Sequence, residues 1–240
     1  MPNATSLSQD PQSAGQPLFT SSATQYHELG AKMVTGDGRE YRYCLAGGVS
    51  TVPGQLYSAA AQTTAHQNVA VAAAAIGATT VTLTGSLTLT SNQYAQGWLI
   101  VSVTPGQGYM YKVSGNTAVT SATGCVITLN DPILVALTTA STVSLVLNPY
   151  SLVIVAPTTA TANPVGASVY IITNGQYGWL QTKGPASLLN DANTAVGLPL
   201  APSTNTAGAV LTATGSIPAI GIAMQTLATT KYGPVFLMLP

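Results

Sequence analysis

The chain reads as all-β: an extended N-terminal arm followed by two small β-barrel or β-sandwich units. Three observations predict this. Short runs of alternating, β-branched or aromatic residues recur from Val49 onward, each bounded by Gly, Pro, Asn or Asp. No segment carries a sustained helical period. Charge is scarce: 5% of 240 residues are charged and 46% are hydrophobic, against roughly 25% charged in ordinary soluble domains.

Residues 1–27 form the arm. Ser, Gln, Thr, Pro and Ala dominate it, and such a segment cannot bury enough apolar surface to fold alone. Fully extended, it reaches on the order of 90 Å, so it is expected to lie over a neighbouring subunit. Its start, Met1-Pro2-Asn3-Ala4-Thr5, lacks the basic and apolar regions of a signal peptide. The chain is therefore expected to be synthesised in a cytoplasm.

The first unit is expected over 28–155 and the second over 156–240, with a change of texture through the Asn-Pro and Ala-Pro steps of 148–164. Gly36-Asp37-Gly38 supplies a hairpin turn between two alternating runs. In the second run Tyr41, Tyr43 and Leu45 share one face, and Glu40, Arg42 and Cys44 the other. Strands are then predicted at 79–84, 87–90, 98–103, 109–113, 125–129 and 142–147. The Ala-rich stretch Val69 to Ile76 suits a strand or, by propensity, a helix. Beyond the boundary, strands are predicted at 168–172, 177–182, 196–200, 209–213, 220–224 and 235–239, a spacing suited to a small barrel.

Composition excludes several function classes. The six basic and six acidic residues cancel, and half of them (Glu28, Lys32, Asp37, Arg39, Glu40, Arg42) fall within one short stretch. No cationic face exists to release counterions from phosphates, so direct nucleic-acid binding is not expected. The longest apolar run is far short of the ~20 residues that span a bilayer as a helix, so no membrane partner is expected. Two His, two Cys and scattered carboxylates show no metal-ligand spacing, and no cofactor loop or nucleophile elbow is present. No enzyme, cofactor or metal is expected; a hydrolase built on His66 or Asp131 is the dissenting reading. Cys44 and Cys125 are read as buried hydrophobes, with a bridge between them as the alternative. The candidate interaction residues are Tyr26, His27 and Glu28 at the end of the arm, with Arg39 and Arg42 on the hairpin. A solvated hairpin face with weak ion pairs is the competing reading of the two arginines.

Several phrases resemble virion structural proteins of tailed phages. Asp37-Gly-Arg-Glu-Tyr-Arg-Tyr-Cys-Leu-Ala-Gly-Gly is similar to an opening strand of that group. Gln93-Tyr-Ala-Gln-Gly-Trp-Leu, Gly108-Tyr-Met-Tyr-Lys-Val and Gln176-Tyr-Gly-Trp-Leu-Gln-Thr-Lys-Gly-Pro-Ala resemble its middle. Thr206-Ala-Gly-Ala-Val, Ile220-Gly-Ile-Ala-Met and Pro234-Val-Phe-Leu-Met-Leu resemble the close of small β-barrel head-decoration (cement) proteins. The resemblance implies a homotrimer on the exterior of the phage head, with the major capsid protein as partner, clamping capsomers against packaged DNA. The alternative is another virion part, in the tail, baseplate or fibre, that binds host glycans.

Overall fold

The computed structural model describes residues 15–214 and 218–240. It is all-β; the one helical turn among the described residues is a 3-10 turn at Thr64–His66. The chain divides into two units, one built from residues 1–61 and 149–240, the other from 62–148. This differs from the expected division at 155/156. The change of texture near Asn148 marks the return from an insertion, and strands on either side of that insertion pair with one another.

The hairpin forms where expected. Strands β1 (Lys32–Val34) and β2 (Glu40–Leu45) pair through Lys32–Arg42, Met33–Tyr41 and Val34–Glu40. Gly38 turns the chain at φ +83° and donates its N–H to the Thr35 carbonyl at 2.9 Å. Tyr41 and Tyr43 are buried, as the alternation requires. Cys44, placed by alternation on the opposite face, is buried too, among Tyr57, Ala59, Val153, Val165, Ile172 and Leu180. The strand has protein on both sides. β3 (Leu56–Ser58) follows, buried throughout.

The inserted unit carries β4 (Val69–Ala70), β5 (Thr80–Leu83), β6 (Leu87–Leu89), β7 (Trp98–Val103), β8 (Met110–Asn116), β9 (Val119–Ala122), β10 (Cys125–Leu129) and β11 (Thr142–Val146). Six of these run in the order β4-β11-β7-β8-β10-β5, and β6 pairs with β9. The sheet curls back on itself: Val71 bridges Leu83, and the Ala72 and Thr84 N–H groups donate to Thr82 and Ala70. Inward positions are Val81, Leu83, Leu99, Val101, Tyr111, Val113, Ile127, Val143 and Leu145, all buried. Each apolar side chain of this size stabilises by about 1.5–3 kcal/mol when fully buried. The Ala-rich stretch is extended, with bridges at Val71 and Ala74 and no helix. Val69 and Val71 alternate into the core, and a run without an amphipathic face has nothing to hold it as a helix.

After the insertion come β12 (Ile154–Val155), β13 (Pro164–Ser168), β14 (Tyr177–Leu189), β15 (Pro199–Pro202), β16 (Val210–Thr212), β17 (Gly221–Ala223) and β18 (Tyr232–Met238). The strand expected at 168–172 instead ends at Ser168. Beyond it Thr51 replaces the ladder, its hydroxyl accepting the Ile172 N–H at 2.7 Å and donating to the Tyr170 carbonyl at 2.9 Å.

β14 runs well past the predicted 177–182. Its first half pairs with β2, from Tyr177–Leu45 to Lys183–Glu40, and its second half with β18, from Lys183–Met238 to Leu189–Tyr232. A register shift between Gln181 and Lys183, with Gly184 at φ +86°, bends the strand without ending it. The Gln181 amide donates to the Lys183 and Pro185 carbonyls, satisfying backbone that the bulge frees. The second half of β14 continues through β18, β17, β15 and β16, and Val210 bridges back to Asn190. The result is a nearly closed barrel. Leu188, Leu200, Val210, Ile220, Leu227, Val235 and Leu237 pack in its core, with Leu56 and Ala156 from the adjoining strands.

Candidate interaction site

The described part of the arm, residues 15–27, lies on its own chain, where the expectation was a neighbouring subunit. Residues 1–14 lie outside the described residues. The anchor is Gln16, which is buried. Its Oε1 accepts from the Tyr43 hydroxyl at 2.5 Å, and its Nε2 donates to the Tyr177 and Thr20 carbonyls at 2.8 and 3.2 Å. The Trp179 indole donates to the Gln16 carbonyl at 3.0 Å, and Ser22 bridges Tyr177. The arm supplies polar groups that a buried Tyr and Trp need, and so it has a seat on β2 and β14.

The five candidate residues fall into different settings. Tyr26 is exposed, and its N–H donates to the Tyr43 hydroxyl at 3.2 Å. His27 sits edge-on to Tyr43 at 5.1 Å and tilted to Trp179 at 5.2 Å; its buried Nε2 has no hydrogen-bond partner among the described residues. Glu28 is exposed beside them. His27 thus joins the aromatic cluster of Tyr43, Tyr177 and Trp179, which Tyr26 touches through its backbone N–H. Arg42 is half-buried and latches the Gly30 carbonyl at 3.0 Å. Arg39 belongs to a separate charged edge.

On that edge Arg39 bonds Asp37 at 2.7 Å and lies over the Tyr41 ring at 5.8 Å. Glu40 is flanked by Lys32 at 2.9 Å and Lys183 at 3.6 Å. The Thr35 hydroxyl, then Arg39, hold the Asp37 carboxyl down at about 2. The Lys32 ammonium, then Lys183, lower Glu40. Burial pushes the Tyr41 phenol up to about 12. Four of the six charges in this stretch therefore satisfy one another, and exposed pairs of this kind contribute little to stability.

In the inserted unit, His66 is buried with Nδ1 2.6 Å from the Tyr94 hydroxyl, beside an open hollow of about 490 Å³ lined by Thr63, Thr88, Gln93 and Ser121. Burial lowers its pKa. Among the described residues no acid lines that hollow, and Asp131 stands exposed. Cys44 and Cys125 are free and buried, one in each unit, so the bridge is not formed; burial raises both thiols. No three His, Cys, Asp or Glu among the described residues gather around a common point. No helix there is long and apolar enough to cross a membrane.

Two features carry no sequence signal. One is the Gln16 anchor, a single Gln in a low-complexity stretch. The other is a cavity of about 340 Å³ at the barrel, walled by Pro157, Pro164, Pro202, Ile220, Met238 and Leu239, residues distant in sequence. No family model, curated protein or solved structure matches this chain.

Proposed function

We propose that this chain is a structural component of a tailed-phage virion: a decoration, or cement, protein on the outer surface of the head, bound to the major capsid protein. It carries out no catalysis, needs no cofactor and does not touch the packaged DNA. The three-fold grouping of copies implied by the resemblance belongs to the particle in this proposal.

The observation that carries the reading is the surface. Twelve charges serve 240 residues, several are spent within one hairpin, and large apolar side chains such as Phe19, Ile76, Leu134 and Val196 stand exposed. A protein free in solution usually carries interspersed charge against association. This surface suits contact with neighbours, and many copies on one shell turn modest contacts into durable attachment.

The test is add-back. Heads lacking the protein are mixed with the purified chain, pelleted, and heated while DNA release is followed. Co-sedimentation in saturating amounts and release at a higher temperature are expected. A chain that stays in the supernatant refutes the proposal.

A further inference from the structure

The outer face of the barrel departs from the alternation of a solvated sheet. An antiparallel sheet with one solvated face alternates apolar-in with polar-out. In the inserted unit β5 does so, with Thr80 and Thr82 outward, and Thr128 on β10 and Ser144 on β11 also point outward, whereas β7 and β8 turn Trp98, Ile100 and Met110 to that side. On β18 the inward residues are Gly233, Val235 and Leu237, while the outward ones are Tyr232, Pro234, Phe236 and Met238. On β17 Ile222 points out between buried Gly221 and Ala223, with Met224 just beyond. The register places Pro199, Ile222, Phe236 and Pro185 in one row across four strands. Ile222 is 37% exposed, Phe236 40%, Met224 and Met238 46% each and Tyr232 52%.

We infer that this face packs against the same face of a second copy of the chain. Charge points to a like partner. The rows contain no acid; Lys183, opposite Met238, is already 3.6 Å from Glu40, Lys231 adjoins Tyr232, and Arg39, which shares a hollow with Pro185, Tyr232 and Pro234, is paired with Asp37 at 2.7 Å. Nothing there selects a partner of opposite sign, whereas two identical apolar faces complement each other. Geometry points to a pair. Antiparallel sheets stack face to face at about 10 Å, and a self-complementary patch generates a two-fold contact that closes at two copies. Area sets the strength. At roughly 200 Å² per side chain of this size, the five residues offer about 400 Å². A stable interface needs roughly 800 Å² per partner, so the pair is reversible. The inference is independent of head binding.

Sedimentation equilibrium of the full chain, from about 1 to about 500 µM, tests it. The mass is expected to climb from one copy towards two. In Ile222→Thr/Phe236→Thr, where Thr preserves β propensity, association weakens at least about 10-fold with an unchanged circular dichroism spectrum. A wild-type chain that keeps a one-copy mass throughout overturns the inference. So does a variant that doubles like the wild type, or a three-copy mass in both. Should the variant misfold, amide exchange on the wild type decides: β17 and β18 slow as concentration rises, or the inference fails. Head binding is scored separately by pelleting, so the failure of either idea is distinguishable from failure of the other.

Discussion

Replacing Gln16 by Ala tests whether the arm is held by one side chain. The substitution removes the acceptor of the Tyr43 hydroxyl proton and the donor to the Tyr177 carbonyl. The Tyr177 carbonyl keeps the Ser22 N–H at 3.1 Å, so the group left without its partner is the Tyr43 hydroxyl proton, which sets the loss at about 1–3 kcal/mol, less where water enters. The Trp179 bond to the Gln16 carbonyl involves backbone and survives only while the arm stays seated. Trp98 lies in the inserted unit and Trp179 in the other, so in a Trp98→Phe background urea unfolding followed by fluorescence reports the arm-bearing unit alone. Gln16→Ala is expected to lower that midpoint and red-shift the native emission. In Tyr43→Phe, where the orphaned hydroxyl is absent, the same substitution costs about 1–2 kcal/mol less, the coupling expected of direct partners. A loss within about 0.5 kcal/mol of zero, or strict additivity with Tyr43→Phe, would refute the anchor.

Two further predictions concern pH. The Asp191 carboxylate accepts from Ser203 at 2.6 Å, Thr206 at 2.5 Å and Asn205 at 3.0 Å, and these donors, Ser203 foremost, hold its pKa below the usual ~3.9. Folding therefore favours the ionised form, and the stability it contributes is present above about pH 4 and lost as pH falls further. Asp191→Asn should flatten the fall of the Trp179-reported midpoint between about pH 5 and 3, and an unchanged slope counts against it. For His66, burial lowers the pKa. The unfolded chain takes up a proton as pH drops through ~6.5 while the folded one resists, so the inserted unit loses stability on acidification and gains nothing above neutrality. The Trp98-reported midpoint should fall between about pH 7 and 5 and hold level in His66→Phe; a rise on acidification would contradict the assignment.

Much of the strand pattern was legible because it is local. The Asp37-Gly38 turn, the Thr-rich strands and the Pro234 to Leu239 run each carry their period in a few residues. What escaped was set by partners far along the chain. β2 and β14 pair across the whole insertion, so the boundary near Asn148 was visible but its meaning was not. Ser168 to Ile172 reads as a strand until Thr51 captures its backbone. Tyr177 to Leu189 is one strand only because Gly184 and Gln181 accommodate a bulge. Among the candidate residues, Arg39 and Arg42 sit three apart in sequence yet do different things, one in an ion pair and one as a latch. Alternation could not reveal the apolar outer face, since a strand apolar on both sides reads as fully buried.

The central claim, that this chain is a covered structural part of a phage head, is tested most directly by electron cryo-microscopy of intact particles. The account predicts density for this fold in many copies on the outer head surface, seated across capsomer seams. Its presence in tails alone, or its absence from the particle, would contradict the account.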